Sequence, residues 1–161
     1  MNQIDEAELE RLVVAALAVQ QKAYAPYSNF QVGAAILHDG GTITCGANVE
    51  NASYGLTLCA ERVAASAAVT SAHSRPNSIE LDLIAGGVVP IPTKNASPLS
   101  SQKPWRAIAV ASFGGVTPCG ACRQFLMEFA PSMAVYLVDS GTRQVTRIDS
   151  LALLLPSAFK F

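Results

Sequence analysis

The sequence has no apolar run approaching the ~20 residues that a membrane-spanning helix requires. Charge is also scarce: 14% of residues are Asp, Glu, Lys or Arg, and 11 basic residues stand against 12 acidic ones for a formal net charge of −1. Binding to nucleic acid rests largely on neutralising phosphates, and this balance offers no basic groove to do it. The opening residues MNQIDEAELE are acidic where a secretory signal is basic and then apolar, so a cytoplasmic protein is expected. There are only two histidines, His38 and His73, and neither lies in a ligand-like motif; a strand end and a loop are their expected places. In a reducing compartment the four cysteines, Cys45, Cys59, Cys119 and Cys122, read as metal ligands, redox groups or small core residues rather than disulfides. What the chain has in quantity is apolar side chains. Half of its 161 residues are hydrophobic, which excludes a disordered chain and suits one domain, 1–161, with a single sizeable core.

Periodicity places the elements. Leu9, Leu12, Val13, Ala16 and Leu17 recur at helical spacing, with Glu8, Glu10 and Arg11 off that stripe, and the helix should end before Pro26. Gln31 to Leu37 predicts a strand apolar or small on both faces, hence covered on both sides. Asp39-Gly40-Gly41 signals a turn, with Thr42 to Ala47 returning antiparallel. A second helix is predicted from about Cys59 to Ser71, a buried strand over Arg106 to Ser112, and a third helix from Cys119 to about Phe129. Met133 to Val138 and Arg143 to Ile148 predict two strands joined at Ser140-Gly141. Leu151 to Leu155 predicts a short helix capped by Asp149 or Ser150 and stopped by Pro156. Between the second helix and Trp105 lies a Pro-, Ser- and Gly-rich insertion at about 73–104, mostly loop, with one extra strand conceivable over Ile79 to Val89. The order α-β-β-α-β-α-β-β-α implies a mixed sheet between helical layers.

The chemistry-bearing residues cluster at two predicted helix starts. "PCGAC" sets Cys119 and Cys122 three apart, so both thiols can share a helix face. Alone, this C-x-x-C is ambiguous between a redox pair, a metal half-site and coincidence. Cys59 also falls at a helix start, where partial positive charge favours thiolates, so two helix ends could converge on one ion. Three thiolates with one open position describe a catalytic zinc site better than a structural one, which is closed by four protein ligands. Glu61 fits that reading as a non-ligand carboxylate for moving protons, provided "LCAER" lies at the helix entry, where residues two apart can serve one pocket. Arg62 can offset the negative charge of three thiolates around a divalent ion; its alternative is an ordinary surface ion pair.

Cys59-Ala60-Glu61 followed by Pro118-Cys119-Gly120-Ala121-Cys122 resembles the signature of the zinc deaminases. "YSNFQVGAA" at 27–35, "NVENASYG" at 48–55 and "CGACRQ" at 119–124 narrow the resemblance to the short-chain, homotetrameric cytidine deaminases, over about 8–72 and 105–159. The resemblance implies a three-layer α/β/α sandwich around a mixed five-stranded sheet. It also implies hydrolysis of cytidine and deoxycytidine to uridine and deoxyuridine with release of ammonia, in pyrimidine salvage. By the same resemblance Cys59, Cys119 and Cys122 bind one zinc ion per subunit, and Glu61 shuttles protons to N3 and the departing amine. Asn48 and Glu50 hold the ribose hydroxyls, Phe30 packs near the base, and backbone groups near Ala60 and the "TPC" turn hold the base edge. Tyr54 and Phe159 match positions through which neighbouring subunits of a tetramer complete each other's sites; a frayed tail is the other reading of Phe159. The insertion follows the second helix away from its N-terminal end, so it is expected outside the pocket, with its effect on subunit packing.

Two rivals compete with this reading. Cys45 could be the fourth ligand of a closed structural zinc site in a non-catalytic module, which leaves Glu61 and "NVEN" unexplained. The same fold could act on another cytosine-containing molecule, a nucleic acid or an antibiotic; the charge balance opposes the first and the intact ribose motif the second.

Overall fold

The computed structural model describes residues 4–72 and 105–159. In chain order the elements are α1 (Glu6–Gln20), β1 (Val32–His38), β2 (Ile43–Ala47), a 3-10 turn (Tyr54–Leu56) and α2 (Ala60–Ala72). They continue with β3 (Trp105–Ser112), α3 (Gly120–Met127), β4 (Ala134–Asp139), β5 (Val145–Ile148) and a second 3-10 turn (Leu151–Leu154). The strands form one sheet of order β2-β1-β3-β4-β5. β3 and β4 are parallel and the remaining pairs antiparallel, so the sheet is mixed and five-stranded, as expected.

Alternation along the inner strands divides the apolar residues between two cores. Ala34, Ile36, Ile108, Val110, Val135 and Leu137 meet Ala64, Ala65 and Ala68 of α2 and Leu126 of α3 on one face. Ala35, Leu37, Ala107, Ala109, Ala111 and Tyr136 meet Leu12, Ala16 and Leu17 of α1 on the other. Two glycines set how deeply the helices sit. A Cβ on Gly33 would lie 2.2 Å from the Ala16 carbonyl oxygen in α1, and one on Gly46 would lie 2.3 Å from the Ala64 nitrogen in α2. Neither contact is possible, so only glycine lets the two helices lie flat on opposite faces of the sheet.

Helix α1 begins with a capping box in which Asp5 accepts from the Glu8 amide at 2.7 Å and Glu8 accepts from the Asp5 amide at 3.1 Å. The Glu8 carboxylate also takes both terminal nitrogens of Arg106, fastening α1 to β3 and holding its carboxyl below the usual range. Several boundaries differ from the sequence reading. β1 lies one residue later than expected, at Val32–His38, and β3 begins one residue earlier, at Trp105. β5 begins at Val145 rather than Arg143, because Arg143 has φ 65 and belongs to the turn. The last helical element is a 3-10 turn: Ser150, not Asp149, caps it by accepting from the Ala152 amide, and only a few residues separate that cap from Pro156. The expected insertion at 73–104 and its extra strand lie outside the described residues. No helix among the described residues is long and apolar enough to cross a membrane.

Candidate active site at the starts of α2 and α3

Both helices that pack on the same sheet face begin with a cysteine. The Cys59 carbonyl accepts from the Val63 amide at 3.1 Å and the Cys119 carbonyl from the Arg123 amide at 3.0 Å, so each is the cap residue of its helix. Cys122 lies in the first turn of α3 and is fully buried. The Sγ atoms of Cys59 and Cys119 are 4.0 Å apart, those of Cys119 and Cys122 3.5 Å, and all three lie within 4.8 Å of one another. Tetrahedral thiolate bonds to zinc of ~2.3 Å require sulfur separations of about 3.8 Å, so the three residues fit that ion with little movement. All four cysteines are free, and Cys45 on β2 does not join the group. The closed four-cysteine rival therefore loses its fourth ligand.

The charges in this corner are unequal. A hydrogen bond from the Cys122 thiol, reinforced by Arg62, pulls the Cys59 thiol down to about 5 against the cost of burial. Cys122, the donor of that bond and itself buried, is pushed the opposite way. The Arg62 guanidinium stands 3.8 Å from the Cys59 sulfur and donates to the Thr57 carbonyl at 3.0 Å, while its Nε is buried without a hydrogen-bond partner. Helix entry brings Glu61 to the same corner: only 4% exposed, its carboxyl is pushed up chiefly by burial and further by the Cys59 charge. A hydrogen bond with Cys122 and the Arg62 charge oppose that shift. A carboxyl raised by burial in this way is a stronger base than a solvated one.

The "NVEN" segment is laced to the same helix start. Val49 exchanges backbone hydrogen bonds with Leu58, the residue before Cys59, at 2.9 and 3.0 Å. On its other side the Tyr24 amide donates to the Asn48 carbonyl and the Glu50 amide to the Tyr24 carbonyl. The buried Asn48 side chain donates to the Phe30 carbonyl at 2.9 Å and accepts from the Val32 amide at 2.8 Å. Glu50 accepts from the amides of Tyr27 and Ser28 at 2.8 and 3.2 Å and from the Ser28 hydroxyl, which holds its carboxyl below the usual range. Both side chains thus fix the loop that presents Phe30, whose ring is partly exposed. Tyr54, 79% exposed, stands edge-on to Tyr27 of that loop, with ring centroids 6.3 Å apart. Ala60, at the first position of α2, is fully buried.

Three residues with structural parts in the site were missed in the sequence. Arg123 donates to the Pro118 carbonyl at 2.7 Å, the Thr117 hydroxyl at 3.0 Å and the Leu154 carbonyl at 2.8 Å. Gln124 exchanges hydrogen bonds with the backbone of Phe159, a residue 70% exposed. Asp139, at the end of β4, accepts from the amides of Gly114 and Gly141, steadying the Gly114-Gly115 turn from β3 toward Cys119. Arg123 and Gln124 stood in the quoted "CGACRQ" motif; Asp139 carried no signal of its own.

The chain matches the family model described as the cytidine and deoxycytidylate deaminase zinc-binding region over residues 6–138. It is 37% identical over 156 residues to a cytidine deaminase of Sporosarcina psychrophila, covering 94% of this chain and 91% of that protein. A crystal structure of the cytidine deaminase from Burkholderia pseudomallei aligns with TM-score 0.70 at 37% identity, covering 93% of this chain and 98% of that one. The cytidine deaminase structure from Mycobacterium tuberculosis aligns with TM-score 0.64 at 30% identity, over 99% of this chain and 100% of that one.

Proposed function

Because the chain belongs to the zinc-binding cytidine and deoxycytidylate deaminase family, we propose that it hydrolyses the 4-amino group of cytidine and deoxycytidine to give uridine or deoxyuridine and ammonia. The observation that carries this reading is the convergence of three thiols within 4.8 Å on a corner that also holds a buried carboxyl. Cys59, Cys119 and Cys122 would hold one zinc ion per subunit, which would act as a Lewis acid and make water nucleophilic at neutral pH. Glu61 would take one proton from the attacking water and deliver it to N3 of the pyrimidine, then take the second from the hydroxyl left on C4 and pass it to the amine, which departs as ammonia while the C4 carbonyl forms. Its burial supports this cycle, because a carboxylate whose proton affinity is raised by burial is a stronger base toward the proton of the attacking water. Arg62 offsets the thiolate charge from 3.8 Å, preserving the Lewis acidity of the centre.

The nucleoside would lie between this corner and the loop that Asn48 and Glu50 fix. Each of those side chains keeps acceptor or donor capacity beyond the loop contacts, since a carboxylate offers about four lone-pair sites and an amide can make four bonds. Ribose hydroxyls would use that remainder. Phe30 and Tyr54 supply apolar walls, and the first-turn amide of Ala60 has no partner within its helix and is available to the base edge. Phe159, Tyr54, Leu56 and Phe113 expose large apolar surfaces, which supports a homotetramer with shared sites. The three thiols must stay reduced to serve as ligands, which supports a cytoplasmic location.

The test is ammonia release, followed alongside ultraviolet loss, from cytidine, deoxycytidine, cytosine, adenosine and single-stranded DNA with zinc-replete protein. Turnover of the two cytosine nucleosides alone is expected. No turnover of either would overturn the reading.

A further inference from the structure

Arg123 and Gln124 follow the second cysteine of α3 directly, yet neither enters the chemistry above. Both reach the C-terminal segment instead. Arg123 bonds the Leu154 carbonyl while also gripping Thr117 and Pro118, the two residues that lead into Cys119. Gln124 donates its Nε2 to the Phe159 carbonyl at 2.9 Å and accepts from the Phe159 amide at 3.1 Å. One primary amide thereby occupies both backbone groups of a single residue, as a neighbouring strand residue does in a sheet.

Fixing a residue's backbone costs conformational entropy. Here the Phe159 backbone is held while the residue remains 70% exposed. A pinned backbone carrying a projecting aromatic ring is a presented group, not a frayed one. Ser157, with φ 58, helps turn the tail back toward α3 after Pro156.

We propose that Gln124 is a positioning residue for nucleoside binding: it fixes the tail so that the Phe159 ring closes the pocket of a neighbouring copy of this chain. Two zinc ligands, Arg123 and Gln124 all lie within one short helix start, so the ring and the thiols are held as one body. This rests on Phe159 having the substrate-facing role proposed above.

Two substitutions separate the ring from its tether. Phe159→Ala deletes the ring and keeps the backbone bonds; Gln124→Met keeps the ring and deletes both bonds at similar side-chain length. Three readouts apply to the zinc-loaded protein: hydrogen exchange of the Phe159 amide, KM and kcat for cytidine, and bound zinc. Gln124→Met is expected to speed exchange about tenfold and raise KM about five- to twentyfold, with kcat within twofold and zinc unchanged. In a Phe159→Ala background it should raise KM no further. If Phe159→Ala raises KM but Gln124→Met does not, or the two effects multiply, the positioning role is overturned. If Phe159→Ala leaves KM unchanged, the role of Phe159 itself fails and the proposal falls with it, whatever the exchange rate shows. Should Gln124→Met lose zinc, Gln124→Glu, which keeps the acceptor for the Phe159 amide but loses the donor, takes its place; unaltered KM with faster exchange would again overturn the proposal.

Discussion

The starts of α2 and α3 look alike in sequence, each with a capping cysteine and an arginine in the first turn or just after it, but the two arginines do different work. Arg62 is three residues beyond Cys59, so it returns over the same helix face and reaches that sulfur at 3.8 Å. Arg123 is four beyond Cys119 and adjacent to Cys122, and all three of its nitrogens go to Thr117, Pro118 and Leu154 instead. One guanidinium balances charge; the other builds the frame. Identical chemistry takes opposite roles because a one-residue difference in spacing decides whether sulfur or backbone lies within reach.

The comparison can be broken at four strengths. Replacing Cys59, Cys119 or Cys122 by Ala removes a ligand that both helix starts share. Zinc content should fall to near zero and turnover by at least about a thousandfold, measured by metal analysis and ammonia release. Arg62→Gln should lower activity by about 10–100-fold, the scale of losing a charge partner to a metal ligand. It should also raise the pH at which acid releases zinc. The sign follows from Cys59: its folded-state thiol is lowered to about 5 in part by Arg62, so without that cation protons compete for the sulfur at higher pH. Arg123→Gln should leave that release pH unmoved and reduce stability by about 1–3 kcal/mol through unpaired carbonyls, with kcat per folded chain little changed. A release pH shifted equally by both substitutions would erase the distinction. Cys45→Ala, outside the cluster, should change neither zinc nor activity.

The sheet was legible because its inner strands are apolar on both faces, a pattern that demands helices on both sides, and residues such as Ala34/Ile36 and Ala35/Leu37 do face separate cores. The metal corner was legible because cysteines at helix starts carry their own chemical signature. Boundaries were less so: Arg143 reads as a strand residue by neighbourhood, but the turn built on the Asp139 carboxylate puts it at positive φ. Least legible were residues whose partners are backbone atoms far along the chain. Nothing in the letters R and Q at 123–124 reveals the Leu154 carbonyl or the Phe159 amide, about thirty residues on. Asn48 and Glu50 show the same limit from the other side. Their motif announces a polar site, but only the structure shows that they also fix the loop holding Phe30.

The central claim is that the three thiols hold the metal while Glu61, in the same corner but not a ligand, moves the protons. Glu61→Gln tests it most directly, because it keeps the size and hydrogen-bonding shape of the side chain and removes only its ability to cycle a proton. The account predicts one zinc per chain, as in the unaltered protein, with ammonia release from cytidine reduced by about 10²–10⁴-fold or more. Turnover within tenfold of the unaltered protein, or loss of the zinc, would contradict it.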